Sequence, residues 1–185
     1  MNITRSYFLL ELISKLHSHQ SRCGETHIQK TVFFAHELLR IPVSFEFTLY
    51  KYGPYSFELS EELSVLRAYN YLKVIPQQYG VSIIPTDNIN PMRTLANDAN
   101  LYEPKLDFIA KRLGSKKVSE LEKLSTVLYI KKRLGISQED AIANKLNELK
   151  PHIDIFAARM AVEEFSQLEQ EINNLYTNDI SLEQV

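Results

Sequence analysis

The stretch Phe45-Glu46-Phe47-Thr48-Leu49-Tyr50-Lys51-Tyr52-Gly53-Pro54-Tyr55-Ser56 decides how the rest of the chain is read. Phe45, Phe47 and Leu49 fall on one face of an extended strand, and Glu46, Thr48 and Tyr50 fall on the other. Gly53-Pro54 is expected to stop that strand, because proline has a fixed backbone angle that suits a turn or a first helical position. A helical pattern begins at about Ser56. The sequence therefore predicts an aromatic strand joined to a helix by a rigid corner with almost no linker.

Working outward from this corner, Asn2 is placed to cap a first helix running to about His17, with Ile3, Leu9, Leu12, Ile13 and Leu16 as its apolar stripe. Thr26 and Gln29 have the spacing of a capping box for a second helix, which Pro42 ends. Beyond the corner, the spacing predicts a third helix over about 57–70 with Leu59, Leu63 and Leu66 inward. Two short strands follow, 71–76 and 81–85, joined by a turn of Gln77, Gln78, Tyr79 and Gly80. Two helices, a strand, a helix and a β-hairpin are the pattern of a winged-helix domain, here about residues 1–90. Residues 91–103, rich in Asn and Asp, read as a linker. Residues 104–185 read as a helical extension that packs on the first domain or makes a homodimer. Ser119 with Glu122, and Ser137 with Asp140, mark two of its helix starts. A last helix from about His152 to Tyr176 is expected to bury Ile155, Phe156, Met160, Phe165, Leu168 and Ile172. The expected class is α+β, mostly helical.

Composition narrows the function classes. The 185 residues are 44% hydrophobic and 24% charged, with a formal net charge of −2, an ordinary globular balance. The basic excess of many nucleic-acid binders is absent from the total. The single cysteine, Cys23, excludes an internal disulfide and fits a reducing compartment. The apolar runs are too short for a membrane span, and the N-terminus lacks the features of a signal peptide, so a cytoplasmic protein is expected.

Thr26-His27-Ile28-Gln29-Lys30, followed by Tyr50-Lys51-Tyr52-Gly53-Pro54-Tyr55-Ser56, resembles the small bacterial and archaeal winged-helix proteins of the YwgA type, which are related to the Panacea-domain antitoxins. In that group a Lys/His-Leu-Gln-Lys helix precedes an aromatic strand ending in Tyr-Gly-Pro-(Tyr/Phe/Val)-Ser. Leu128-Tyr129, Glu139-Asp140-Ala141-Ile142 and Leu149-Lys150-Pro151-His152 extend the resemblance over most of the chain, and Ile28 departs from the usual leucine. The resemblance implies a protein that binds a partner, in Panacea-type members a toxin, and it implies no assigned activity.

Four groupings carry candidate chemistry, each with a plainer alternative. The third helix has the DNA-reading position of a winged helix, but its solvent stripe holds Glu58, Glu61 and Glu62, which oppose phosphate. Those carboxylates favour a solvated or protein-facing surface, while Arg67 on the flank remains a nucleic-acid candidate. Tyr50, Lys51, Tyr52 and Tyr55 form either a docking platform or a packed corner whose hydroxyls bond to backbone. Residues 105–133 carry nine Lys/Arg against three carboxylates, a net of +6, and residues 134–185 carry three against ten, a net of −7. That asymmetry is either a basic patch or two segments that neutralise each other. His17, His19, Cys23 and His27 are the only metal-like grouping, and with a single thiolate they make a poor zinc site. His27 and His36 are nine apart on one helix and point in opposite directions. No phosphate loop, nucleophile elbow or His-Glu-x-x-His pattern occurs.

The sequence thus predicts a non-enzymatic binding module without metal or cofactor. The expected partner surface is Tyr50, Tyr52, Tyr55, Glu58, Glu61 and Glu62. The alternative is a DNA-binding regulator that uses Arg67, Gln77, Gln78, Lys111, Arg112, Lys116 and Lys117.

Overall fold

A computed structural model of the chain describes residues 3–19, 21, 23–78, 80–89 and 102–182, the last eight of these by backbone only. The described elements are mostly helical, with two small antiparallel sheets. The expected Asn2 cap, the turn residue Tyr79 and most of the 91–103 linker lie outside the described residues.

The opening stretch departs from its expected form. The chain does not end its strand at Gly53-Pro54 but returns through it. Strand β1 (Thr48–Tyr50) pairs antiparallel with β2 (Gly53–Tyr55), Leu49 opposite Pro54. Gly53 takes φ 90°, a left-handed value that costs glycine little, and this lets the chain reverse tightly through Lys51 and Tyr52. Upstream, the predicted alternation is present without a ladder. Ile41, Val43, Phe45 and Phe47 are buried, and Pro42, Ser44 and Glu46 between them are exposed. Here the backbone satisfies itself locally, with the Val43 and Phe45 amides donating two residues back to Ile41 and Val43.

Helix α1 (Ile3–Ser18) buries Leu9, Leu10, Leu12, Ile13 and Leu16, whereas Ile3 of the expected stripe is half exposed. Helix α2 (Glu25–Glu37) starts behind Gly24 with no side-chain cap, so the Thr26–Gln29 capping box does not form. Gln29 is instead fully buried and clamps the corner. Its Nε2 donates to the Ser56 carbonyl at 2.9 Å, and the Ser56 amide donates to its Oε1 at 2.8 Å. Next to it, Lys30 is 1% exposed and its Nζ donates to the Pro54 carbonyl at 2.7 Å. The two sequence patterns, at 26–30 and 50–56, are thus one hydrogen-bonded unit.

Helix α3 (Phe57–Ala68) follows at once. The Ser56 hydroxyl caps it by accepting from the Leu59 amide, and Leu59, Leu63 and Leu66 point inward. Strands β3 (Leu72–Pro76) and β4 (Val81–Pro85) form the expected hairpin, Val74 opposite Ile83. A short 3-10 turn covers Asp87–Ile89. Helix α4 (Glu103–Leu113) packs on α1 and α2 through Leu106, Ile109 and Leu113, and Lys15 reaches Glu103 and Asp107 at 2.7 and 3.0 Å. One compact unit therefore spans Met1–Leu121 and includes α4, which the sequence assigns to the C-terminal region.

The second unit, Glu122–Val185, contains the rest of α5 (Val118–Arg133), then α6 (Glu139–Leu149) and α7 (Ile155–Leu182). The start of α5 is capped two residues earlier than expected, with the Lys117 amide donating to Glu120. Glu122 is buried instead. Helix α6 begins behind Gln138, with no side-chain cap, so Asp140 stands within its first turn. Along α7 the buried stripe is Ala158, Ala161, Val162, Phe165, Leu168 and Ile172. Ile155, Phe156 and Met160, expected inside, are exposed: at 100° per residue Phe156 and Met160 fall on the side of the helix away from Phe165, and Ile155 falls at the edge of the stripe in the first turn, which Asp154 caps on the Ala157 amide.

Replacing Gln29 by Leu keeps the volume but leaves the Ser56 amide and carbonyl buried without their partner. We expect Gln29→Leu to destabilise the protein by about 2–4 kcal/mol in urea unfolding. An unchanged midpoint would show that the clamp does not hold the corner.

Candidate functional site

The clamp leaves one side of the corner facing solvent, and that side is aromatic. Tyr50 and Tyr55 lie with ring centroids 5.7 Å apart, Tyr50 and Phe57 at 5.9 Å, and Tyr55 and Phe57 at 5.1 Å. Such tilted and edge-on pairs are mutually attractive. The three rings nevertheless stay accessible: Tyr50 is 57% and Phe57 59% exposed, with Tyr55 half-buried behind them. Tyr52, 50% exposed, carries the Lys51 ammonium 5.3 Å from its ring centre. The Tyr55 hydroxyl donates to a carboxylate, Glu25 Oε1, at 3.2 Å, and not to backbone as its packed reading implies. Ser60 donates to the same oxygen at 2.6 Å. The platform is thereby tied to the first turns of both α2 and α3.

Of the three α3 carboxylates, one is misplaced in the sequence reading. Glu62 is only 6% exposed and lies inside, bonded to the Ser6 hydroxyl and, at 3.3 Å, to Arg5 Nη2. It fastens α3 to α1 and is no part of an outer surface. A carboxylate on a stripe of three looks solvated in sequence, and only the distant Arg5-Ser6 pair pulls it inward. Glu58 is exposed and accepts from the Glu46 amide at 3.4 Å, with Arg5 Nη1 at 3.9 Å. Glu61 is exposed one turn beyond Phe57.

Phe57 is the platform residue that the sequence reading missed. Its signal was present: it stands two residues before Leu59, about 200° around the helix from the buried Leu59–Leu63–Leu66 stripe.

The nucleic-acid candidates are spread over several elements. Arg67 is half-exposed and donates to Ser64 Oγ at 2.8 Å. Gln77 and Gln78 are exposed at the β3–β4 tip. Lys111, Arg112 and Lys117 are exposed and Lys116 half-exposed, in the last turn of α4 and just after it. Within the second unit the expected neutralisation of the basic segment by the acidic one appears between Lys131 and Glu169. There Glu122 is buried with Lys150 Nζ at 3.9 Å and His152 Nε2 at 3.2 Å. Burial lowers the Lys150 ammonium from its ordinary range, and Glu122 opposes that shift.

The His17, His19, Cys23 and His27 grouping is dispersed. His17 and His19 are exposed, and Cys23 and His27 are buried. Among the described residues no group of three or more His, Cys, Asp or Glu is placed to hold a metal ion. Burial pushes the Cys23 thiol up to about 12, which suppresses the thiolate. Burial also lowers His27 to about 4, against a smaller opposing effect of its hydrogen bond to the Leu113 backbone. Among the described residues no helix is long and apolar enough to cross a membrane. No protein-family model matches this chain, and no curated protein matches its sequence.

His27 sets a pH prediction. Its folded value lies below the ordinary 6.5, so the unfolded chain binds the proton more readily between the two values. Stability is fully present above about pH 6.5 and falls by about 3 kcal/mol as pH drops towards 4. Urea midpoints measured across this window should fall steeply in the native protein and more gently in His27→Gln. Parallel profiles would exclude His27 as the group responsible.

Proposed function

We propose that this chain is a non-enzymatic binding module, an antitoxin-like or defence-associated adaptor, that engages a partner protein through the aromatic corner. The observation that carries the reading is the cluster of Tyr50, Tyr55 and Phe57. It is accessible to solvent, yet it stands on backbone fixed from behind by Gln29 and Lys30. Aromatic side chains that need little ordering on binding are the usual anchors of protein interfaces. The resemblance of the 26–30 and 50–56 stretches to the YwgA-type and Panacea-related proteins supports the same conclusion.

The succession of α1, α2, α3 and the β3–β4 hairpin supports a winged-helix-like reading of the first unit, with α3 in the position of a reading helix. In that arrangement Glu58 and Glu61 would face phosphate, which disfavours DNA as the ligand of this surface.

A photo-crosslinking amino acid placed at Tyr52 in cells of the native host should capture one protein. The same amino acid at Lys117 should not capture it. Phe57→Ala should weaken the purified complex at least tenfold while the melting temperature of the free chain stays unchanged. Crosslinks to DNA instead, or a salt-steep gel shift lost in Arg67→Ala, would overturn this assignment in favour of a DNA-binding regulator.

A further inference from the structure

The rim of the aromatic corner is acidic, and this points to the chemistry of what docks there. Glu46, Thr48 and Tyr50 share the outward face of the extended segment, and Phe57 and Glu61 share one face of α3. Glu58 sits between the two, against the Glu46 amide. Glu46 and Glu61 are exposed, and their carboxylates make no ion pair among the described residues. Of the cations nearby, Arg5 lies over Phe45 and against Glu62 and Glu58, Lys51 lies over Tyr52, and Arg67 lies beside Ser64.

The molecule already contains one instance of the side chain this combination suits. The Arg5 guanidinium lies 4.6 Å from the centre of the Phe45 ring and reaches Glu62 and Glu58 at 3.3 and 3.9 Å. A planar cation stacked on an aromatic face between carboxylates is the arrangement in which arginine exceeds lysine. On the outer side exposed rings at Tyr50 and Phe57 stand with exposed carboxylates at Glu46 and Glu61.

We infer that the aromatic corner docks an arginine-bearing segment of a partner protein, with guanidinium groups stacked on Phe57 and paired with Glu46 and Glu61. This rests on the reading of the corner as a protein-docking surface and names the partner's chemistry. Charge complementarity of this kind sets partner choice and association rate more than total affinity.

The probe is a labelled nine-residue peptide carrying three arginines spaced by alanine and glycine. Its controls are the same peptide with lysine and with citrulline, which keeps the shape and removes the charge. Fluorescence anisotropy on the full chain should show the arginine peptide binding at least tenfold more tightly than the citrulline peptide, and more tightly than the lysine peptide. Phe57→Ala and Glu61→Gln, both at exposed positions, should each weaken it at least fivefold. Tyr69→Ala, at an exposed aromatic outside the corner, should leave it unchanged. Equal binding of the arginine and citrulline peptides, or equal losses in Tyr69→Ala and Phe57→Ala, would overturn the proposal. A cellular partner that crosslinks at Tyr52 but binds Glu61→Gln normally, through a segment without arginine, would also overturn it. That result would leave the docking assignment intact.

Discussion

Two neighbouring side chains of α2 hold the backbone on which the rest of the first unit is arranged. Gln29 pairs with both backbone groups of Ser56, and Lys30 donates to the carbonyl of Pro54. Buried peptide groups without partners are costly, and a two-stranded hairpin of three-residue strands has few of its own to offer. The glutamine supplies what a longer ladder would have supplied. It also fixes the residue whose hydroxyl caps α3, so the entry angle of that helix follows from the same contact. From there Glu62 continues the chain of dependence inward to Ser6 and Arg5 of α1.

Much of this order is legible in the residues. The alternation from Phe45 to Tyr50 gives the correct inward and outward faces, and the leucine spacing of α3 gives its buried stripe. The β3–β4 hairpin follows from turn residues between two apolar runs. What local pattern does not carry is the long-range use of a polar side chain. Gln29 stands where a capping box places it, and its amide is used 27 residues away. Glu62 has the look of a solvated face and serves as a buried tether. In both cases a tertiary partner outweighs the local preference, and one-dimensional spacing holds no record of it.

The same distinction explains the surface. Phe57 was visible by its angular position opposite the leucines, and its pairing with Tyr50 and Tyr55 required the hairpin return that Gly53 permits. At the start of α7 the misreading runs the other way. Ile155, Phe156 and Met160 are apolar by composition, but the helical period carries Phe156 and Met160 to the face away from Phe165 and leaves Ile155 at the edge of the buried stripe. Apolar composition marks this stretch as helical, and only the angular period tells which of its apolar residues are covered.

The α2 clamp acts on main-chain atoms of Pro54 and Ser56 and ignores the outward side chains between Tyr50 and Phe57. Apart from Tyr55, whose hydroxyl is bonded to Glu25 of α2, the exposed rings are therefore separable from the scaffold. Substitutions at Tyr52 and Phe57 remake the exposed aromatic surface while the main-chain contacts beneath it stay intact, so such a chain can drift at these positions without passing through a misfolded ancestor.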